Sequence, residues 1–238
     1  MVVNFCVPNT YVLIAGAWHG GWVWRDVAPG LRALGHAVSA PTLTGLGERH
    51  HNGTEDTNLS THIEDVVAHI TMEGLQSVTL VGWSYGGMVI TGVAAMIPDK
   101  IKSLIYLDAF VPEDGKALVD YLPPERKAHY DLIAAEGNPI PPLPLASFGP
   151  IDPALVEFVA PRLTNQPWRT FYEPVRTWHL PSNITVGYVY CSGPEARFTA
   201  FYEKLKKDSH VRTAIIDASH LCMLTAPSET MQLLVHLG

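Results

Sequence analysis

The segment Val78–Met96, VTLVGWSYGGMVITGVAAM, constrains this chain more than any other. It opens on apolar and β-branched residues, breaks at Gly82-Trp83-Ser84-Tyr85-Gly86 and resumes as small apolar residues from Gly87 to Met96. The opening run, Val78–Val81, suits a short strand buried on both faces, and the closing run suits a packed helix. A strand that becomes a helix within five residues needs glycines where side chains would collide. The serine at the centre of such a turn is held out at the end of the sheet, beside the free N–H groups that open the helix.

The rest of the chain repeats this rhythm. Short apolar runs predict strands at Tyr11–Ala15, His36–Ala40, Ile101–Leu107, Ile184–Tyr190 and Val211–Ile216. Between them, helices are expected from the glycine-rich turn Gly16–Gly21 towards Leu34, over Ser60–Glu73, over Phe198–Lys207 and over Pro227–Leu237. Thr61 and Glu64 have the spacing of a capping box at the start of the second of these. Strands alternating with helices imply an α/β fold whose mainly parallel sheet is covered on both faces. One stretch breaks the rhythm. From Val111 to Pro181 the chain is rich in prolines and in aromatics such as Phe148, Phe158, Trp168, Phe171, Tyr172 and Trp178. That is too long for a structureless loop inside a compact domain. We therefore expect an inserted lid over 111–181, with the core formed by 1–110 and 182–238.

A serine hydroxyl needs a base to take its proton. His220, in Asp217-Ala218-Ser219-His220 after the last strand, is placed where late-strand loops gather at the catalytic edge of such a sheet. A carboxylate must then orient the imidazole. The turn after the penultimate strand, Tyr190-Cys191-Ser192-Gly193-Pro194-Glu195, has Ser192 where an aspartate is usual. Asp108, at the tip of the strand next to the serine's own, leads, while Glu195 and Asp217 stay open. Donors for a developing oxyanion are expected from the backbone N–H groups of Tyr85 and Ala17. Trp18, Trp83 and Tyr85 are candidates to shape an apolar pocket for an aryl or medium-sized substrate, although Trp83 suits the core equally well.

With those residues in hand, the chain resembles the α/β-hydrolases, in the esterase branch that holds plant methylesterases, hydroxynitrile lyases and many bacterial esterases. The resemblance rests on Tyr11–Trp24, Ala40–Glu48, Thr61–Val66, Val81–Met88 and Ser219–Pro227. It implies the α/β-hydrolase fold and hydrolysis of a small carboxylic ester through an acyl-enzyme on Ser84. A lactonase, a lyase on the same scaffold or a non-catalytic sensor are the alternatives. Hydroxynitrile lyases of this branch carry a lysine after the catalytic histidine and a threonine in the first-strand turn. Leu221 and Gly16 stand there in this chain, so cyanohydrin cleavage is not expected.

Composition narrows the partners. A net charge of −7 without a basic stripe excludes nucleic acid. No apolar run is long enough for a membrane span, and Met1–Thr10 has no basic, apolar leader. The three cysteines, Cys6, Cys191 and Cys222, lack metal-ligand spacing and read as reduced thiols of a cytoplasmic protein. No cofactor and no metal are expected. The expected partner is a small-molecule ester, with a homodimer allowed.

Overall fold

The computed structural model describes residues 8–177 and 183–238. Cys6, Trp178, His179 and the expected 181/182 end of the lid lie outside the described residues. Six parallel strands form one sheet: β1 (Thr10–Ile14), β2 (Ala37–Ser39), β3 (Val78–Trp83), β4 (Ile101–Leu107), β5 (Thr185–Cys191) and β6 (Val211–Ile216). Their order is β2-β1-β3-β4-β5-β6, so the chain reverses its direction of travel between β1 and β3. In an open parallel sheet that reversal leaves a crevice at the carboxyl ends of the strands, where ligands bind.

Every residue of β3 is buried, which is the property its run of apolar residues predicts for a central strand. The strand continues two residues past the expected end, because Gly82 and Trp83 still pair with Tyr106 and Leu107 of β4. Around the sheet, α2 (Leu59–Met72) packs on α3 (Gly86–Met96), and α1 (Val27–Ala33) packs on α9 (Pro227–Leu237). The α2 cap lies earlier than the Thr61/Glu64 spacing suggests. Asn58 is the N-cap: its Oδ1 accepts the Thr61 N–H at 2.9 Å, and Thr61 Oγ1 accepts the Asn58 N–H at 3.3 Å. Thr61 thus fills the third helical position of the box.

Between β4 and β5 the chain makes α4 (Pro124–Ala135), α5 (Pro153–Val159) and α6 (Arg169–Tyr172), with single 3-10 turns among them. Prolines stand at the first helical positions of α4 and α5, where a missing N–H costs nothing. An isolated antiparallel bridge, Ile140 to Gln166, ties the segment together. After β5 come α7 (Thr199–Leu205), β6 and the short α8 (Cys222–Thr225). Among the described residues no helix is long and apolar enough to cross a membrane, and no cluster of three or more His, Cys, Asp or Glu could hold a metal.

Candidate active site

Among the described residues four non-glycine residues have positive φ, and three of them stand at adjacent strand ends: Trp18 (67°) after β1, Ser84 (55°) after β3 and Asp108 (43°) after β4. Such conformations cost on the order of 1–3 kcal/mol each and persist only where the surroundings dictate them. At Ser84 the surroundings are backbone. Its N–H donates to Leu107 O at 3.3 Å, while its own carbonyl accepts from Gly87 N–H (3.1 Å) and Phe110 N–H (3.2 Å). The flanking glycines make room for the turn. A Cβ on Gly82 would meet Gly86 O at 2.6 Å, and one on Gly86 would meet Ile14 O at 2.8 Å.

Asp108 and His220 meet in a buried pair. Asp108 Oδ2 lies 2.6 Å from His220 Nδ1, and both side chains are almost wholly enclosed. The other carboxylate oxygen accepts the Cys191 N–H from the tip of β5 at 3.1 Å, and the Asp108 N–H donates to Val189 O at 2.7 Å. With a carboxylate on Nδ1, that nitrogen carries the proton and Nε2 is left as the acceptor. The imidazole is stacked between Phe148 (6.0 Å between centroids) and Phe198 (5.4 Å), and its backbone N–H donates to Phe148 O at 3.1 Å. Of the two rival carboxylates, Asp217 is exposed outside the cavity lining, and Glu195 is exposed at the cavity wall; the carboxylate on His220 Nδ1 is that of Asp108. Ser192, in the turn where an aspartate is usual, donates through Oγ to Ile216 O at 3.3 Å.

The turn after β1 is held by side chains. His19 Nδ1 lies 2.7 Å from Ala17 O, and Gln166 Oε1 accepts the Trp18 N–H at 3.0 Å. Both ends of the Ala17–Trp18 peptide are therefore pinned. Trp18 is held twice more by the β4–β5 segment: its Nε1–H donates to Ile140 O at 3.0 Å, and its carbonyl accepts the Thr164 N–H at 3.1 Å. Gln166 is fully buried, and its Nε2 donates to Thr170 Oγ1 at 2.7 Å. The Thr170 hydroxyl in turn donates to Pro167 O at 2.6 Å. The Tyr85 hydroxyl donates to His62 Nδ1 at 2.9 Å, because the other ring nitrogen of His62 must give its proton to Thr44 O at 2.7 Å. Burial lowers the pKa of His19 and of His62 to about 4 and raises that of Tyr85, so all three groups are neutral. Among the described residues no backbone or side-chain acceptor is paired with the N–H of Ala17 or of Tyr85.

Ser84, His220, Ala17, Tyr85 and Trp18 all line one cavity of about 410 Å³. Its remaining wall is mostly aromatic and aliphatic, with Phe110, Tyr121, Leu143 and Phe171 among its residues. Trp83 is the correction. The expected pocket wall is a fully buried strand residue outside the cavity lining, because β3 runs on through it and turns its ring into the core. There its Nε1–H donates to His220 O at 2.8 Å and its ring lies 5.0 Å from the imidazole. Gln166 and His62 are the polar residues that sequence reasoning missed. Nothing in a proline-rich stretch marks one glutamine as fully buried, and its partner lies 148 residues away. Cys222 is buried against Cys191, and the hydrogen bond between the thiols, together with burial, raises the pKa of Cys191. Both are free, buried cysteines that pack in the core.

A family model described as the alpha/beta hydrolase family matches residues 11–233. The chain belongs to that family. Among curated proteins, this hydrolase is 58% identical to a carbendazim hydrolyzing esterase of Nocardioides sp. over 113 residues, 48% of this chain and 47% of that one. The match thus spans about half the length of that relative. It is 26% identical to methylesterase 7 of Arabidopsis thaliana over 254 aligned positions, 96% of this chain and 95% of that one. Among solved structures, an extracellular alpha/beta-hydrolase from a Paenibacillus species, described as sharing structural and functional homology with tobacco salicylic acid binding protein 2, superimposes with a TM-score of 0.83. It is 26% identical and is covered over 97% of this chain and 99% of that one. Both of these curated relatives are named as esterases.

Proposed function

We propose that this hydrolase cleaves small carboxylic esters through an acyl-enzyme on Ser84. Ser84 Oγ attacks the ester carbonyl carbon while His220 Nε2 takes its proton. The C=O π pair moves onto oxygen, and the N–H groups of Ala17 and Tyr85 receive that charge; one well-aimed donor is worth roughly 3–4 kcal/mol. The tetrahedral intermediate collapses, His220 protonates the departing alcohol, and water, deprotonated by His220, releases the acid and restores Ser84. Asp108 keeps the imidazole in the tautomer that leaves Nε2 free and stabilises its charged form. Gln166 and His19 act as positioning residues by fixing the peptide next to the Ala17 donor. Of the expected lid, the described residues 111–177 cover the cavity and contribute much of its apolar wall.

The observation that carries this reading is the enclosed Asp108–His220 hydrogen bond on the wall of the cavity that Ser84 enters. A fluorophosphonate probe tests it. We expect labelling of the wild type, no labelling of Ser84→Ala, and turnover of p-nitrophenyl acetate that disappears with the label. An unlabelled wild type that still hydrolyses the ester would overturn the assignment of Ser84. The relative named for hydrolysing carbendazim makes that compound the first specific substrate to try, beside a panel of lactones. Leu221, fully buried, offers no amine to the cavity. Cyanide release from mandelonitrile is accordingly expected to be absent.

A further inference from the structure

Two arginines in the cavity wall have no role in ester cleavage. Arg126, in the first turn of α4, and Arg197, between β5 and α7, both line the cavity shared by Ser84 and His220, and both are partly buried. A guanidinium has five N–H donors and no acceptor, and protein structures usually satisfy it with carboxylates or carbonyls. Among the described residues every other arginine except the exposed Arg176 is satisfied in this way, Arg25 by Asp26. Arg49 donates to Thr42 O, Thr44 Oγ1 and Asp65 Oδ1, and Arg32, Arg162, Arg169 and Arg212 each reach a backbone carbonyl. Among the described residues, neither Arg126 nor Arg197 is in an ion pair or donates a hydrogen bond to a protein atom.

The two also stand close enough to feel each other. Burial, and then the charge of Arg126, lower the pKa of Arg197, although Glu195 and Asp108 act the other way. The Arg197 guanidinium lies 5.8 Å from the centroid of Phe148, which is a weak contact at that range. Glu195 shares the cavity wall but is exposed, and Asp108 is committed to His220 and the Cys191 N–H. With one exposed carboxylate set against two guanidinium groups, this part of the cavity stays net positive. Two like charges thus line one cavity beside aromatic rings with their donors unused.

We infer that Arg126 and Arg197 form a carboxylate subsite, so that the preferred substrates are esters that also carry a free carboxylate, half-esters of dicarboxylic acids with an aromatic or apolar spacer. This inference rests on the esterase reading of Ser84. A half-ester places its neutral ester at Ser84, its spacer among Phe110, Phe198 and Phe201, and its carboxylate in the fork of one or both guanidinium groups. A neutral ester of the same shape leaves those donors unused.

Calorimetry on the full chain with Ser84→Ala reads binding apart from turnover. The probes are monomethyl terephthalate and methyl 4-carbamoylbenzoate, which match in shape and differ in charge. We expect the carboxylate to bind about tenfold tighter or more, as suits a charge-assisted hydrogen bond, with the advantage shrinking as salt is added. Adding Arg126→Met and Arg197→Met together should bring the two probes to similar affinity, while Arg197→Lys keeps part of the difference. Melting temperatures of each variant check that it folds. Equal binding of the two probes to Ser84→Ala, or a preference that survives the loss of both arginines, overturns the subsite. Failure of the esterase reading shows separately, as wild-type chain that does not turn over p-nitrophenyl acetate whatever it binds.

Discussion

The floor and the roof of the cavity are built on opposite rules. The floor is the set of strand ends where Trp18, Ser84 and Asp108 sit with positive φ, and backbone hydrogen bonds from neighbouring strands hold Ser84 and Asp108 there. The roof is the segment between β4 and β5, made of short helices started by prolines and joined by irregular turns. The floor stores strain that the sheet around it enforces, and this is how a reactive side chain keeps one geometry. The roof supplies much of the apolar wall and also Arg126, where variation changes what binds without disturbing what reacts. Gln166 crosses this division, because a roof side chain holds a floor peptide.

The largest effects should come from the floor. Ser84→Ala removes the hydroxyl we propose as the nucleophile, and kcat for a neutral ester should drop by on the order of 10⁵–10⁶ in a chain of unchanged melting temperature. Asp108→Asn keeps the shape but favours the wrong imidazole tautomer, and a loss of about 10⁴ in kcat is expected. Glu195→Gln should lower kcat for the same ester by no more than a few-fold. Were those last two outcomes exchanged, the acid would be Glu195 and the enclosed Asp108–His220 bond would be structural.

This ordering matches what was legible in the residues. The strand-to-helix turn at Ser84 could be read because strand, glycine spacing and helix are all local, and Asp108 because a polar residue ending an apolar strand marks a strand tip. Histidine and aspartate are 112 residues apart, yet topology brings their strand ends together, and topology follows from the alternation of elements. Trp83 could not be settled, since an aromatic next to the serine serves core and pocket equally well until the end of β3 is known. The α2 cap was misplaced by three residues because Asn58, Ser60 and Thr61 are all good caps, and packing of the helix selects among them. Gln166, His62 and the arginine pair were out of reach for a different reason. Their roles depend on which polar groups remain unpaired after folding, and no local pattern carries that information.

A smaller, global effect comes from the two buried histidines behind the floor. His19 and His62 have pKa values of about 4 in the folded chain against about 6.5 when unfolded, burial being the main cause in both. Between those limits the unfolded chain binds more protons. The stability this lends is complete above pH 6.5 and is lost as the pH falls towards 4, by roughly 3 kcal/mol for each histidine. Urea unfolding at pH 7 and pH 4.5 should show the slope, and His62→Gln should flatten the part that belongs to that residue. An equal pH slope in wild type and variant would mean that His62 is not kept neutral by burial.

The join between roof and floor is probed most directly at Gln166. Gln166→Met keeps the side-chain volume but leaves the buried Trp18 N–H and Thr170 Oγ1 each short of a partner, at a cost of about 1–3 kcal/mol per group. If Gln166 only stabilises the fold, that cost appears in the melting temperature, and kcat measured well below it stays at the wild-type value. If Gln166 positions the oxyanion turn, kcat falls about 10- to 100-fold while KM moves little, because the loss is felt chiefly when charge develops on the carbonyl oxygen. Gln166→Glu separates the two further. It retains an oxygen for the Trp18 N–H while giving up the donor to Thr170, so kcat should recover more than stability does. A kcat restored by Glu and lost with Met would make the roof part of the catalytic frame, and the division between floor and roof would then describe how the chain is built but not where its chemistry ends.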